Sequence, residues 1–200
     1  MRYIKAIEQA ILLATIVCLS GCTGALDPED YVAWVRDYDN ELHVREEYND
    51  FVFDLQYTPS DYIWLQRYGD IRVPQHEYEA QRKEIEQMQY YTLTISVKGS
   101  AKDLIDYLAS DEKQKDHKMY YFAYGFQEDI KLHENGDQLP CALFHFEKPV
   151  QFNNACTFVL GFENPRNTQA EARLMISSSQ FSAAPIEIKI SKEQIPVLSL

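Results

Sequence analysis

Four cysteines, five histidines and one run of acidic residues are the groups in this sequence whose chemistry could exceed packing. Cys141 and Cys156 fall on neighbouring predicted strands. A disulfide is open to them in an oxidising compartment, and two small buried hydrophobes is the competing reading. Their spacing has no zinc-binding pattern. His145 falls on the apolar face of a predicted hairpin near Cys141, the setting of a hydrogen-bonded core histidine. A metal or nucleophilic role would need a third partner. His133 beside a turn, and His43, His76 and His117 in polar surroundings, read as solvated. Asp37-Tyr38-Asp39-Asn40-Glu41 spaces oxygen ligands closely enough for calcium, and the same residues suit a polar loop between a helix and a strand.

No catalytic signature appears: no nucleophile elbow, no zinc-protease helix, no EF-hand pattern, and only seven scattered glycines to cradle a phosphate. The sequence thus nominates no catalytic residue, no metal ligand and no cofactor. Aromatics are abundant, with 14 tyrosines, 10 phenylalanines and two tryptophans. Most recur at strand or helix-face spacing, which places them in a core. Trp34, Tyr62 and Trp64 lie near helix starts and are the candidates for ligand contact, where flat rings could stack on sugars.

The elements that would carry these groups can be read from periodicity. Asp27-Pro28-Glu29 is a helix start, with a capping acid, proline at the first position and acidic residues in the first turn; this helix should end near Tyr38. Glu41 to Tyr48 and Phe51 to Tyr57 read as strands paired about Asn49-Asp50, since Phe51, Phe53, Leu55 and Tyr57 alternate with smaller or polar residues. Thr58-Pro59-Ser60-Asp61 has capping-box spacing before a short helix that Gly69 would stop. A polar helix over 75–89 precedes a strand from Tyr90 to Val97. A capping box at Ser100 to Asp103 leads to a short helix, and Asp111 to Lys118 reads as a solvated loop or helix end.

From Met119 onward the pattern predicts strands, beginning with the aromatic stretch Met119 to Phe126. Asn135-Gly136 is the strongest turn signal, suited to a type I′ hairpin. Centred there, Leu132 opposes Leu139, Ile130 opposes Cys141 and Phe126 opposes His145. One face then carries Ile130, Leu132, Leu139, Cys141 and Leu143, and the other Phe144 and Phe146. Further strands are expected over Thr157 to Phe162, Arg173 to Ile176 and Ile186 to Ile190. The fold class is α+β: a largely antiparallel sheet, sandwich-like in one version, with three or four short helices mainly in the first half.

The N-terminus has a separate grammar. Arg2 and Lys5 precede an apolar run from Ala10 to Leu19, about half the length needed to span a bilayer. The run closes on Leu19-Ser20-Gly21-Cys22, which resembles the lipobox of bacterial lipoproteins at all four positions. The resemblance implies cleavage between Gly21 and Cys22, a diacylglycerol on the Cys22 thiol, and acylation of the new amino group. Two or more chains make a stable anchor where one does not. Phe51 through Tyr62 also looks like a stretch of uncharacterised lipoproteins from Bacteroidetes-type bacteria, which brings no catalytic residues. Thr23 after the cysteine is compatible with the outer membrane; periplasmic and surface display both stay open. Residues 1–21 are then a removed signal, 22–27 a lipidated tether and 28–200 one globular domain.

The formal charge is −12 over 200 residues. Arg2, Lys5 and Glu8 leave with the signal, so the mature chain is one unit more negative. Such a chain has no electrostatic footprint for nucleic acid, and acyl chains rather than charge must hold it to a membrane. The functional expectation is a lipid-anchored cell-envelope protein with a non-catalytic binding or assembly role and an envelope protein or glycan as partner. Two alternatives stand beside it. One is an aromatic-lined binder of a small molecule or glycan. The other is an envelope hydrolase with His145 and nearby acids converging in a pocket.

Overall fold

A computed structural model describes residues 24–69, 73–147, 154–164 and 170–200. The proposed signal, with Gly21 and Cys22, lies outside the described residues.

Alternating apolar residues build the fold. In β3 (Met88–Val97) every second side chain is buried, from Gln89 through Tyr91, Leu93 and Ile95 to Val97. This strand pairs antiparallel with β2 (Phe51–Thr58) and β6 (Cys156–Glu163). With β1 (His43–Tyr48), β4 (Ile130–Glu134), β5 (Asp137–Glu147), β7 (Glu171–Ile176) and β8 (Ile186–Ser191) they form one eight-stranded sheet, ordered β1-β2-β3-β6-β5-β4-β7-β8. All its pairings are antiparallel. The sheet curls until β1 and β8 lie side by side, nearly a barrel. Side chains stitch that seam: Tyr48 Oη donates to the Glu187 carbonyl at 2.8 Å, and Ser191 Oγ to Glu41 Oε2 at 2.9 Å. Charged Arg45, Glu46 and Glu47 on edge strand β1 discourage pairing with another chain.

The inward residues of all strands but β1 form one core, with Phe53, Leu93, Phe158, Leu132, Leu174 and Ile188 among its fully buried members. The barrel interior is therefore packed with side chains, as befits a small barrel.

Helices close both ends. At the upper end, where β2 and β8 finish and β3 and β7 begin, sit α1 (Pro28–Arg36), α2 (Ser60–Tyr68) and α3 (Gln75–Ile85). They share a second core of Tyr31, Val35, Trp64, Tyr78, Ile85 and Leu198. At the lower end sit α4 (Leu104–Leu108), α5 (Glu112–Tyr120), a π-helical turn over Tyr121–Gly125 and a 3-10 turn over Phe126–Asp129. Phe122 and Phe126 from these turns meet Phe181 and Phe158 at ring separations of 5.0–6.0 Å.

The α+β class and the antiparallel sheet match the sequence reading; the sandwich becomes a near-barrel, and the described residues hold five α-helices, two of them past residue 100. Asp27 caps α1 by accepting the Asp30 amide at 3.0 Å, and Gly69 ends α2 with φ of 72°. Five elements differ. Asp111 to Lys118, expected as a loop or helix end, forms α5, with Asp111 capping it by accepting the Gln114 amide at 2.8 Å. Met119 to Phe126 is helical because its burial repeats every four residues, with Phe122 and Phe126 inside and Tyr120 and Tyr124 outside. The helix expected over 75–89 stops at Ile85, since Met88 and Gln89 join the ladder opposite Glu163 and Phe162. The Thr58 capping box does not form: Thr58 ends β2, Pro59 takes the cap position, and Asp61 binds Tyr78 and Arg82 instead. Asp103, not Ser100, caps α4, accepting the Asp106 amide at 2.8 Å.

Candidate functional site

The strand register decides where each nominated group goes. Cys141 lies opposite Phe162, six residues along β6 from Cys156, so about 20 Å of strand separates the two thiols. Both are free and buried. The disulfide reading is thereby corrected in favour of two small buried hydrophobes. Burial pushes Cys141 up to about 11 and Cys156 up to about 12, away from thiolate chemistry.

His145 is exposed, contrary to the core placement expected for it. The reason is a bulge: the β5–β6 register shifts between Cys141 and Leu143, and every later side chain swaps faces. Phe144 and Phe146 turn inward to the core and Leu143 turns out, 38% exposed. The shallow cleft beside His145 is lined by Ala123, Tyr124, Gln127, Phe144 and Phe146, without a carboxylate. The convergence of His145 with acids, on which the hydrolase reading rested, is absent there.

Trp64 is fully buried against Tyr78 and donates Nε1–H to Gln81 Oε1 at 2.8 Å. Tyr62 is 8% exposed and accepts from Arg36. Both belong to the second core, so neither is available for ligand contact. Position near a helix start leaves a ring at the surface only where the helix is uncovered, and α2 packs between α1 and α3. Trp34 is half-buried and borders a cleft of about 520 Å³ with Leu26, Asp37, Asp39, Glu41 and Glu193. In that loop Asp37 Oδ1 accepts the Asp39 amide at 3.0 Å and Asn40 Oδ1 the Leu42 amide at 2.9 Å, so these oxygens cap backbone. Among the described residues no group of three or more His, Cys, Asp or Glu is arranged to hold a metal ion.

The notable polar site was not nominated. At the upper end of the barrel, Glu134, Gln89 and Lys192 meet just above the apolar interior. Lys192 Nζ donates to Glu134 Oε1 at 2.6 Å and to Gln89 Oε1 at 2.8 Å. Gln89 Nε2 donates to the other carboxylate oxygen at 2.6 Å, and Tyr91 Oη to Gln89 Oε1 at 3.0 Å. The Lys192 ammonium also lies 5.8 Å from the centre of the Tyr57 ring. Gln89 is inward on β3, Glu134 ends β4, and Lys192 follows β8, its amide bonded to the Ala170 carbonyl at 2.5 Å. Burial holds the Lys192 ammonium below the usual lysine range, against the pull of Glu134. Burial likewise pushes Tyr57 up to about 12, so its hydroxyl keeps its proton.

Two clefts open over this network on either side of Ala170. One, of about 570 Å³, is bordered by His133, Glu134, Asp137, Arg173 and Glu193. The other, of about 320 Å³, is bordered by Lys192, Tyr57, Ser60, Glu86, Met88 and Asn164. In the second, Asn164 donates Nδ2–H to the Glu86 carbonyl at 2.8 Å while its own Oδ1 is buried without a partner. Sequence reasoning passed over these residues because Gln89, Glu134 and Lys192 are far apart in the chain. A glutamine at an inward position of β3 was the available signal.

No known family profile and no curated protein matches the chain. Among solved structures it is similar to a DUF4426 family protein from Pseudomonas aeruginosa PAO1, at 8% identity and a TM-score of 0.35, over 74% of this chain and 93% of that one.

Proposed function

We propose that this chain is a lipid-anchored envelope protein with a non-catalytic binding role, and that the upper end of its barrel is where it binds. The observation that carries the binding role is the buried Lys192–Glu134–Gln89 network under two open clefts. Polar groups converging beneath an open concavity are the usual make-up of a ligand site. Binding rather than turnover is favoured because the buried cation is already engaged by Glu134 and Gln89.

The anchor reading rests on Leu19-Ser20-Gly21-Cys22. It has a geometric corollary. Leu26 is pinned to the C-terminal segment, its amide donating to the Val197 carbonyl and its carbonyl accepting the Ser199 amide, both at 2.8 Å. Only three residues lie between Cys22 and Leu26, four steps of the chain and a reach of about 14 Å. A lipidated Cys22 would thus hold the upper end, with its clefts, close to the head groups.

Fractionation of cells expressing the full chain and its Cys22→Ser variant tests the anchor: the parent should sediment with envelopes and the variant should become soluble. A variant that stays with the membrane sinks it. Thermal-shift screening of the purified full chain against small polar ligands tests the site. No ligand raising the melting temperature, or one that acts equally on a Lys192→Met variant, would count against it.

An assembly role with an envelope protein has its own support at the lower end, where Tyr120 and Tyr124 are 69% and 70% exposed and their rings lie 5.1 Å apart. Tyrosine is enriched in interface cores. A photo-crosslinker at position 124 should capture one specific envelope protein in intact cells, and uniform background labelling would remove this reading.

A further inference from the structure

We propose that the domain rests directly on the bilayer that holds Cys22, with Val197 and Trp34 among the head groups. The proposal rests on the anchor reading and adds to it the surface that meets the lipid.

The tether limits how far the domain can stand away. Gly24 is two chain steps from Cys22, so its Cα lies within about 7 Å of the acylated residue. From Leu26 onward the chain has no slack. The Leu26 amide and carbonyl are both bonded to the C-terminal segment, at 2.8 Å each, and the Asp27 cap of α1 follows at once. A backbone held in this way cannot lengthen into a linker.

The side chains beside that pinned residue suit an interface. The C-terminal segment pairs with Leu26 in a parallel bridge at Leu198, and extended backbone sends alternate side chains to opposite sides. Leu198 turns into the second core, 6% exposed, and Val197 turns outward, 63% exposed. A lone exposed valine is ordinary on a protein surface. This one is bonded through its carbonyl to a residue four steps from the anchor, and a tryptophan lies at the same end. Trp34 packs partly against the second core and borders one cleft with Gly24, Leu26 and Pro196. Tryptophan, an apolar body with one polar edge, is the side chain that collects at membrane–water boundaries.

Charge sets the depth and the lipid type. Asp37, Asp39, Glu41 and Glu193 border the cleft beside Trp34, and the whole chain has a formal charge of −12. Carboxylates are costly in hydrocarbon, and anionic lipid repels them. The contact is therefore with hydrated zwitterionic head groups and stops short of the acyl chains. The lower end, with Tyr120 and Tyr124, then points away from the bilayer.

The test uses the acylated full chain on phosphatidylcholine vesicles whose lipid carries a nitroxide near the glycerol. Val197→Cys and, at the lower end, Tyr124→Cys each carry an environment-sensitive fluorophore. Cys141 and Cys156 are buried and stay unlabelled, and Cys22 is blocked by its lipid. Trp34 is read as the difference in emission between the parent and a Trp34→Phe variant, because Trp64, the only other tryptophan, is fully buried. The proposal expects a blue shift and quenching at position 197, loss of the Trp34 emission, and a water-like signal at position 124. Vesicle-bound protein quenched at 124 and water-like at 197 would overturn the orientation while the anchor stands. Water-like signals at all three positions on vesicle-bound protein would overturn the contact, again with the anchor intact. Acylated protein that stays off the vesicles would overturn the anchor and the proposal together. Equal quenching in a Cys22→Ser variant would overturn the argument from the tether.

Discussion

Lys192 Nζ and Glu134 Oε1 lie 2.6 Å apart with their side chains 6% and 0% exposed, an ion pair set directly over an apolar barrel core. Each partner borders a different cleft, so the pair joins the two concavities of the upper end.

Removing one member of such a pair leaves an uncompensated buried charge. Glu134→Leu or Lys192→Met alone should destabilise the protein by about 3–5 kcal/mol. The double variant should recover part of that loss, retaining a cost of about 1–3 kcal/mol for the stranded Gln89 amide. Urea denaturation of all four proteins supplies the cycle. A Glu134→Leu variant as stable as the parent would show that the pair is not buried in solution.

Alkaline pH should unfold this protein through its thiols and phenols. Burial raises Cys141 to about 11 and Cys156 and Tyr57 to about 12, and moves Tyr31, Tyr78, Tyr91 and Tyr121 upward too. Unfolded thiols release their protons near 9.0 and phenols near 10.0. Above those values the unfolded chain binds fewer protons than the native one, so stability falls as pH rises. Below pH 9 the contribution is fully present. Lys192, held low by burial, has the opposite slope, one group against several. Denaturation midpoints should therefore decline between about pH 9 and about pH 12, with the buried phenols adding their tyrosinate absorbance only as the protein unfolds. Complete tyrosine ionisation in a still-folded protein would contradict the burial of Tyr31, Tyr78 and Tyr91.

The separation of Cys141 from Cys156 is checked by alkylation. Both thiols should resist a maleimide in the native protein and react fully in denaturant without reductant. A native protein needing reductant before it can be labelled would place the two sulfurs together, against the observed register.

The helical reading of the stretch from Met119 to Phe126 makes opposite forecasts for neighbouring rings. Phe126→Ala removes a ring 0% exposed and should cost about 3–5 kcal/mol. Tyr124→Ala, 70% exposed, should stay within about 0.5 kcal/mol. As a strand, Phe122, Tyr124 and Phe126 would share one face, and all three changes would be costly.

Gly161 faces the bulge in β5. An added Cβ would sit 2.9 Å from Leu143 Cβ and 2.9 Å from Met88 Cε. The methionine tip can swing aside, but the Leu143 Cβ is fixed to its backbone. Gly161→Ala should therefore cost about 1–3 kcal/mol in thermal or urea melts, and a neutral result would mean that the bulge relaxes.

What the sequence determined by itself is local. Alternation in β2 and β3, the Asn135-Gly136 turn with Leu132 opposite Leu139, the Asp27 cap and the Gly69 stop are each encoded within a few adjacent residues. Periodicity and turn chemistry act at that range. The lipobox resemblance is equally local, which is why it could be read without any knowledge of the fold. Tertiary structure decided everything that depends on register. One inserted residue near Ala142 exchanged the faces of His145 and Phe144, and no local pattern announces a bulge whose counterpart is a glycine on another strand. The same holds for the burial of Trp64 between helices. It holds most of all for the meeting of Gln89, Glu134 and Lys192, brought together from three strand ends because the sheet curls far enough for β8 to return beside β1.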